Sequence, residues 1–72
     1  MKNKKLASLR TLYEVNQSSL ATVIGVSVNT FSSKERGITN FTQPEMIKIT
    51  KFFKNYNSNV TMDDIFFENQ VN

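Results

Sequence analysis

The chain has 72 residues, nine lysines and arginines against six acids for a net charge of +3, and neither cysteine nor histidine. One domain is the sensible count, and at this size folding hides only about 60% of the unfolded surface, so the core is thin. With no thiol or imidazole, disulfide staples and the usual zinc sites are excluded, and side-chain packing must hold the fold.

No apolar run approaches the ~20 residues of a membrane span. The start, MKNKKLASL, is basic but lacks the hydrophobic segment of a signal peptide. A cytoplasmic protein that does not engage membranes is expected, and the lack of cysteine suits a reducing compartment. The charge is unevenly spread. In residues 1–36, Lys2, Lys4, Lys5, Arg10, Lys34 and Arg36 outweigh Glu14 and Glu35, for +4. In residues 37–72, Lys48, Lys51 and Lys54 fall short of Glu45, Asp63, Asp64 and Glu68, for −1. The molecule should have a basic end and an acidic end.

Leu6, Leu9, Leu12 and Tyr13 recur at helical spacing, so residues 5–14 read as a first amphipathic helix behind a flexible basic arm, residues 1–4. Asn16 suits the N-cap of a second helix, residues 17–24, with Leu20, Ala21 and Ile24 as its apolar stripe. Gly25 supplies the freedom to stop that helix and turn. Ser27 caps a third helix ending near Glu35, before Gly37. Residues 37–41 form a loop. The run Thr42-Gln43-Pro44-Glu45 is a capping box with an early proline, opening a fourth helix whose buried face is Met46, Ile49, Phe52 and Phe53.

Residues 55–59 are polar and turn-rich, a connector rather than a packed segment, and Lys48, Lys51 and Lys54 lie on a solvent face. Thr61-Met62-Asp63-Asp64 caps a last short helix holding Ile65, Phe66 and Phe67. The tail, residues 69–72, should fray. No strand-period alternation and no internal repeat is visible. The expectation is an all-α domain of five short helices spanning residues 1–72.

Two helices joined by a short glycine turn, with a small residue where they cross, form a helix-turn-helix, here residues 17–35. Ala21 is small where the third helix crosses, Val26 plugs the turn, and Phe31 anchors the third helix from beneath. Positions 28, 29, 32, 33 and 36 are left facing outward. The string Gln17-x-x-Leu20-Ala21-x-x-x-Gly25-Val26-Ser27-x-x-Thr30-Phe31-Ser32-x-x-Glu35-Arg36-Gly37 resembles the Cro/C1-type helix-turn-helix family of phage and bacterial regulators. The likeness runs from about Leu6 to Phe67, and the ending looks like small phage-encoded members from low-GC Gram-positive hosts.

The resemblance implies the lambda-repressor-like fold of five helices, its third helix entering the major groove. Carried over by position, Val28, Asn29, Ser32 and Ser33 fall on the face that reads bases, and Gln17 falls where phosphate is met. Asn29 suits adenine, Val28 a thymine methyl, and the serines several bases. Each is equally an ordinary exposed residue. Arg10 and Glu35 occupy positions that in the family form a partly buried ion pair locking the first helix to the third.

The chain also departs from the pattern. It has Ser33 and Lys34 where many relatives have a basic or glutamine-type residue and a large aromatic. The loop Ile38-Thr39-Asn40-Phe41-Thr42-Gln43 carries no lysine or arginine, which forfeits part of the phosphate term. Backbone amides at Thr42 and Gln43, with Arg36 and the Lys2-Lys4-Lys5 arm, would have to compensate.

Two functions are expected from this. One is a transcriptional regulator of a temperate phage's lysis–lysogeny switch, binding operator DNA as a possible homodimer. The other is a modulator or antirepressor that binds a cognate repressor protein through Ile38, Phe41, Asp63, Asp64, Phe67 and Glu68, an acidic and apolar set suited to a basic partner. An enzyme is disfavoured. The sequence has no catalytic histidine or cysteine, no glycine-rich phosphate loop and no paired carboxylates in a plausible cleft. No cofactor, metal or small-molecule substrate is expected.

Overall fold

Five helices make up the regular structure of residues 4–67, the part of the chain that the computed structural model describes. They are α1 (Lys4–Tyr13), α2 (Gln17–Ile24), α3 (Val28–Glu35), α4 (Gln43–Lys54) and α5 (Met62–Phe66), with no strand among the described residues. The first begins at Lys4, so that residue belongs to a helix rather than to an arm. Residues 1–3 and the expected frayed tail lie outside the described residues.

The helix starts follow the sequence closely. Asn16 Oδ1 accepts from the Ser19 amide at 2.8 Å and Ser27 Oγ from the Thr30 amide at 3.1 Å. Thr42 and Glu45 form a reciprocal capping box, and Thr61 and Asp64 form a second. Each such cap is worth about 1 kcal/mol because it satisfies an amide that the helix leaves without a partner.

The ends of α1, α2 and α3 share one device. In each, a residue in the left-handed region follows the helix, and the next amide reaches back across six residues. Glu14 (φ 58°), Gly25 (φ 80°) and Gly37 (φ 85°) take that conformation. The long return bonds are Val15 to the Arg10 carbonyl (2.8 Å), Val26 to Ala21 (2.9 Å) and Ile38 to Ser33 (2.9 Å). This is the Schellman ending, which normally turns an apolar residue back onto the helix. Val15 is buried and Val26 half-buried in accordance with that rule, but Ile38 is left 65% exposed. At Glu14 a residue with a side chain bears the left-handed strain, of order 1–2 kcal/mol, and burial of Val15 offsets it.

The core gathers Leu6, Leu9, Val15, Leu20, Ala21, Ile24, Phe31, Ile49, Phe53, Val60 and Ile65. Helix α2 packs on α3 and α4, α1 on α5 and α3, and α4 on α5. Ala21 is almost fully buried and Phe31 wholly so, as expected for the residues that seat α3. Phe31 meets Phe41 edge-on at 5.7 Å, and Phe41 meets Phe66 the same way at 5.4 Å. This aromatic chain ties α3, the loop and α5 together.

Several expectations need correction. Leu12 is not part of the buried stripe of α1 but 66% exposed, because Tyr13 takes the inward position at the end of the helix. Met46, Phe52 and Phe66 are half-buried, and Phe67 ends α5 rather than lying within it. Thr50 is buried instead, its hydroxyl donating to the Met46 carbonyl at 2.8 Å. The connector does pack through Tyr56, which stacks on Tyr13 at 4.9 Å, and Val60 just after it enters the core. Lys54 is not merely solvated, since its ammonium donates to the carbonyls of Val60 (2.6 Å) and Ser58 (3.3 Å).

Candidate functional site

The outer side of α3 and the segment after it carry most of the residues singled out in the sequence. Val28, Asn29, Thr30 and Arg36 are exposed, whereas Ser32 and Ser33 are half-buried, less open than the helical spacing suggests. The N-terminal turn of α3 is therefore its most accessible part. Ser27 Oγ, which caps that turn, also accepts from the Thr30 hydroxyl at 3.0 Å, fixing its polar edge.

Beneath α3 lies the expected ion pair. Arg10 Nε donates to Glu35 Oε2 at 2.7 Å and Nη2 to Oε1 at 3.0 Å, a two-pronged contact that holds both planar groups in register. Glu35 is buried, and the Arg10 side chain retains little exposure. Arg10 Nη1 also donates to the Val15 carbonyl at 3.4 Å. A third partner was not foreseen. The Gln17 amide nitrogen donates to Glu35 Oε1 at 2.7 Å. Gln17 therefore stands at the start of α2 as expected, but its amide is turned toward the ion pair rather than out to a phosphate. The network joins α1, α2 and α3 through one carboxylate.

A second network governs the electrostatics of the loop. Lys34 extends past Gly37 so that its ammonium donates to the Asn40 carbonyl at 2.9 Å and lies 3.1 Å from Glu45 Oε1. The same Glu45 oxygen accepts from the Thr42 amide at 2.9 Å. Two consequences follow. The cation next to the exposed face is spent within the molecule, and one of the two amides expected to receive a phosphate, that of Thr42, is already bonded to a carboxylate. Among the described residues from Ser27 to Gln43, Arg36 is the only other cation. The face is close to neutral.

Burial of the Glu45 carboxyl would by itself raise its pKa. Hydrogen bonds from Thr42 and Lys34, with the lysine's charge, outweigh that and hold it below the ordinary 4.5. A carboxyl whose folded pKa is lowered contributes stability above its unfolded value and loses it as the pH falls through the lowered one. Glu45→Gln keeps an oxygen for the Thr42 amide but removes the charge paired with Lys34, and is therefore expected to cost up to about 1 kcal/mol at neutral pH. Thermal melts of the two proteins should converge below the ordinary carboxylate range. A gap that stays constant into acid would mean that the carboxylate's charge is not used.

The residues assigned to an alternative protein contact divide. Ile38 and Asp63 are exposed, and Phe67 is 37% exposed. Phe41 is half-buried between Phe31 and Phe66, so its first task is packing. Asp64 accepts from the Thr61 amide at 3.1 Å and serves as the cap of α5. Glu68 lies outside the described residues. Through Phe41 and Phe66 the loop that follows Ile38 packs against α5, which carries Asp63.

No group of histidine, cysteine or acidic residues among the described residues could hold a metal ion, and no helix there is long and apolar enough to cross a membrane. Comparison with known protein families, curated proteins and solved structures gives no significant match.

Proposed function

We propose that this chain is a transcriptional regulator of a temperate phage's lysis–lysogeny switch, of the Cro/C1 helix-turn-helix type, acting with or against a cognate repressor. The observation that carries the reading is the seating of α3. Ala21 and Phe31 are buried under it, Gly25 turns the chain into it, and its N-terminal residues Val28, Asn29 and Thr30 remain uncovered. A helix held firmly from beneath and open along its leading turn is the arrangement that reads base edges in the major groove. Asn29 is the residue best suited to do so, pairing with adenine through both ends of its amide.

A second reading is favoured by specific observations. Affinity for DNA comes largely from neutralised phosphates. Here Lys34 is bonded to Asn40 and Glu45, Gln17 to Glu35, and the Thr42 amide to a carboxylate. What remains exposed instead is Val28 on α3, Ile38 after it, Asp63 on α5 and Phe67 at its end. Apolar side chains accompanied by an acidic one suit a repressor's own basic DNA-binding face. In this reading the chain is a modulator that removes the repressor from its operator.

One titration series separates the two. Purified protein is titrated onto switch-region DNA at low and moderate salt, alone and with the cognate repressor. Operator binding that weakens with salt, and falls about 10- to 100-fold in Asn29→Ala, supports the first reading, since one bidentate base contact is worth 1–3 kcal/mol. Absence of DNA binding alone, with loss of the repressor–DNA complex on addition, supports the second. Asp63→Lys should then abolish the effect; Asp63 is the cleaner choice because Asp64 also caps α5. If neither DNA nor repressor is bound, both readings fall.

A further inference from the structure

The pair formed by Lys34 and Glu45 exceeds what a helix cap requires. The second capping box, Thr61 with Asp64, closes its helix without a lysine among the described residues. At Thr42 the corresponding acid, Glu45, is met by a cation from another helix. The Lys34 ammonium lies 3.1 Å from Glu45 Oε1, the oxygen that also accepts from the Thr42 amide. The two side chains keep only 12% and 15% of their exposure, so dissolved salt screens the pair little. A bond to the Asn40 carbonyl places the same ammonium against the segment between α3 and α4. That segment has no cation of its own after Arg36.

We propose that Glu45 is an internal competitor for DNA phosphate, holding Lys34 so that its charge is withheld from the loop between α3 and α4. The inference rests on the helix-turn-helix reading above and deepens it. A cation strengthens DNA binding by neutralising a phosphate and releasing a condensed counterion. A lysine already paired with a carboxylate has little charge left for that task. Carboxylate and phosphate are rival acceptors for one ammonium, and lysine suits the exchange because its charge is a compact point on a flexible four-carbon stem. Neutralising Glu45 returns that charge to the loop.

Attraction to phosphate carries no sequence information. By withholding it, Glu45 lowers the hold on DNA in general and leaves the choice of partner to α3. Glu45 is in this sense a specificity-determining residue, although it lies on α4 and outside the face formed by Val28, Asn29 and Thr30.

The test measures binding of the full chain to two duplexes of equal length, the switch-region DNA and a scrambled sequence, from about 50 to about 200 mM salt. Glu45→Gln should bind both duplexes more tightly, by roughly 10-fold at the lowest salt. Its plot of log affinity against log salt should be steeper by about 0.9, the share of one phosphate contact. Adding Lys34→Met should return the slope to the wild-type value. Glu14→Gln makes the same change of net charge at the end of α1 and should leave the slope where it is. No gain in Glu45→Gln, a gain that survives Lys34→Met, or an equal gain in Glu14→Gln would overturn the proposal. A Lys34-dependent gain on both duplexes, with no preference for the switch region, would uphold the competition at Glu45 while the reading of α3 falls.

Discussion

Replacing Glu35 with glutamine is expected to cost about 3–5 kcal/mol of stability, because it leaves the Arg10 charge largely buried without its partner. In a domain of this size that is a fall in the unfolding midpoint of roughly 12 °C or more. The whole stability of such a chain is on the order of 4–11 kcal/mol, so the variant would approach unfolding. The effect should be large because one carboxylate serves three helices. It receives two bonds from Arg10 on α1 and one from Gln17 on α2, while its own backbone closes α3. Thermal denaturation is the measurement, and an unchanged midpoint would remove the pair from any account of stability. A double replacement, Arg10→Met with Glu35→Met, should recover much of the loss, since an apolar pair of similar size carries no desolvation cost.

The second large effect is expected at Phe31. Phe31→Ala removes a wholly buried ring and should cost about 3–5 kcal/mol through lost transfer energy and the cavity left behind. The ring also starts the edge-to-face chain through Phe41 to Phe66, and each such contact adds about 0.5–1.5 kcal/mol beyond simple burial. Phe41→Ala, at a half-buried site, should cost less. The two losses should not add, because removing either ring ends the contact between them. Chemical denaturation of both single variants and the double variant measures that coupling. Strict additivity would mean that α3 and the loop are seated independently.

Much of the fold is legible in the sequence because its punctuation is local. Asn16, Ser27, Thr42 and Thr61 each cap the helix expected of them, and Gly25 and Gly37 take the left-handed conformation that only glycine adopts freely. Glu14 takes the same conformation with nothing in its identity to announce it. Val15 and Val60 are lone apolar residues in polar surroundings, so periodicity does not pick them out, yet both enter the core. Leu12 shows the opposite failure: it fits the helical spacing but sits at the edge of the stripe, where the spacing alone does not decide burial.

The candidate surface was less legible because its chemistry depends on pairs distant along the chain. The position of Gln17 marks it as a helix start. Its amide bonds to Glu35, eighteen residues on, and no local pattern encodes that. Lys34 reads as surface charge until Asn40 and Glu45 are found beside it. The absence of cations from the loop was visible, but the reach of Lys34 into it was not. The Arg10–Glu35 pair, implied by resemblance alone, is present with two-pronged geometry.

The repeated ending of α1, α2 and α3 bears on how the chain reaches its native state. Each of these reversals is specified within six residues, so the three helices can be laid out before any distant segment must be found. A chain of such short-range instructions collapses quickly, in the microsecond-to-millisecond range typical of small helical domains.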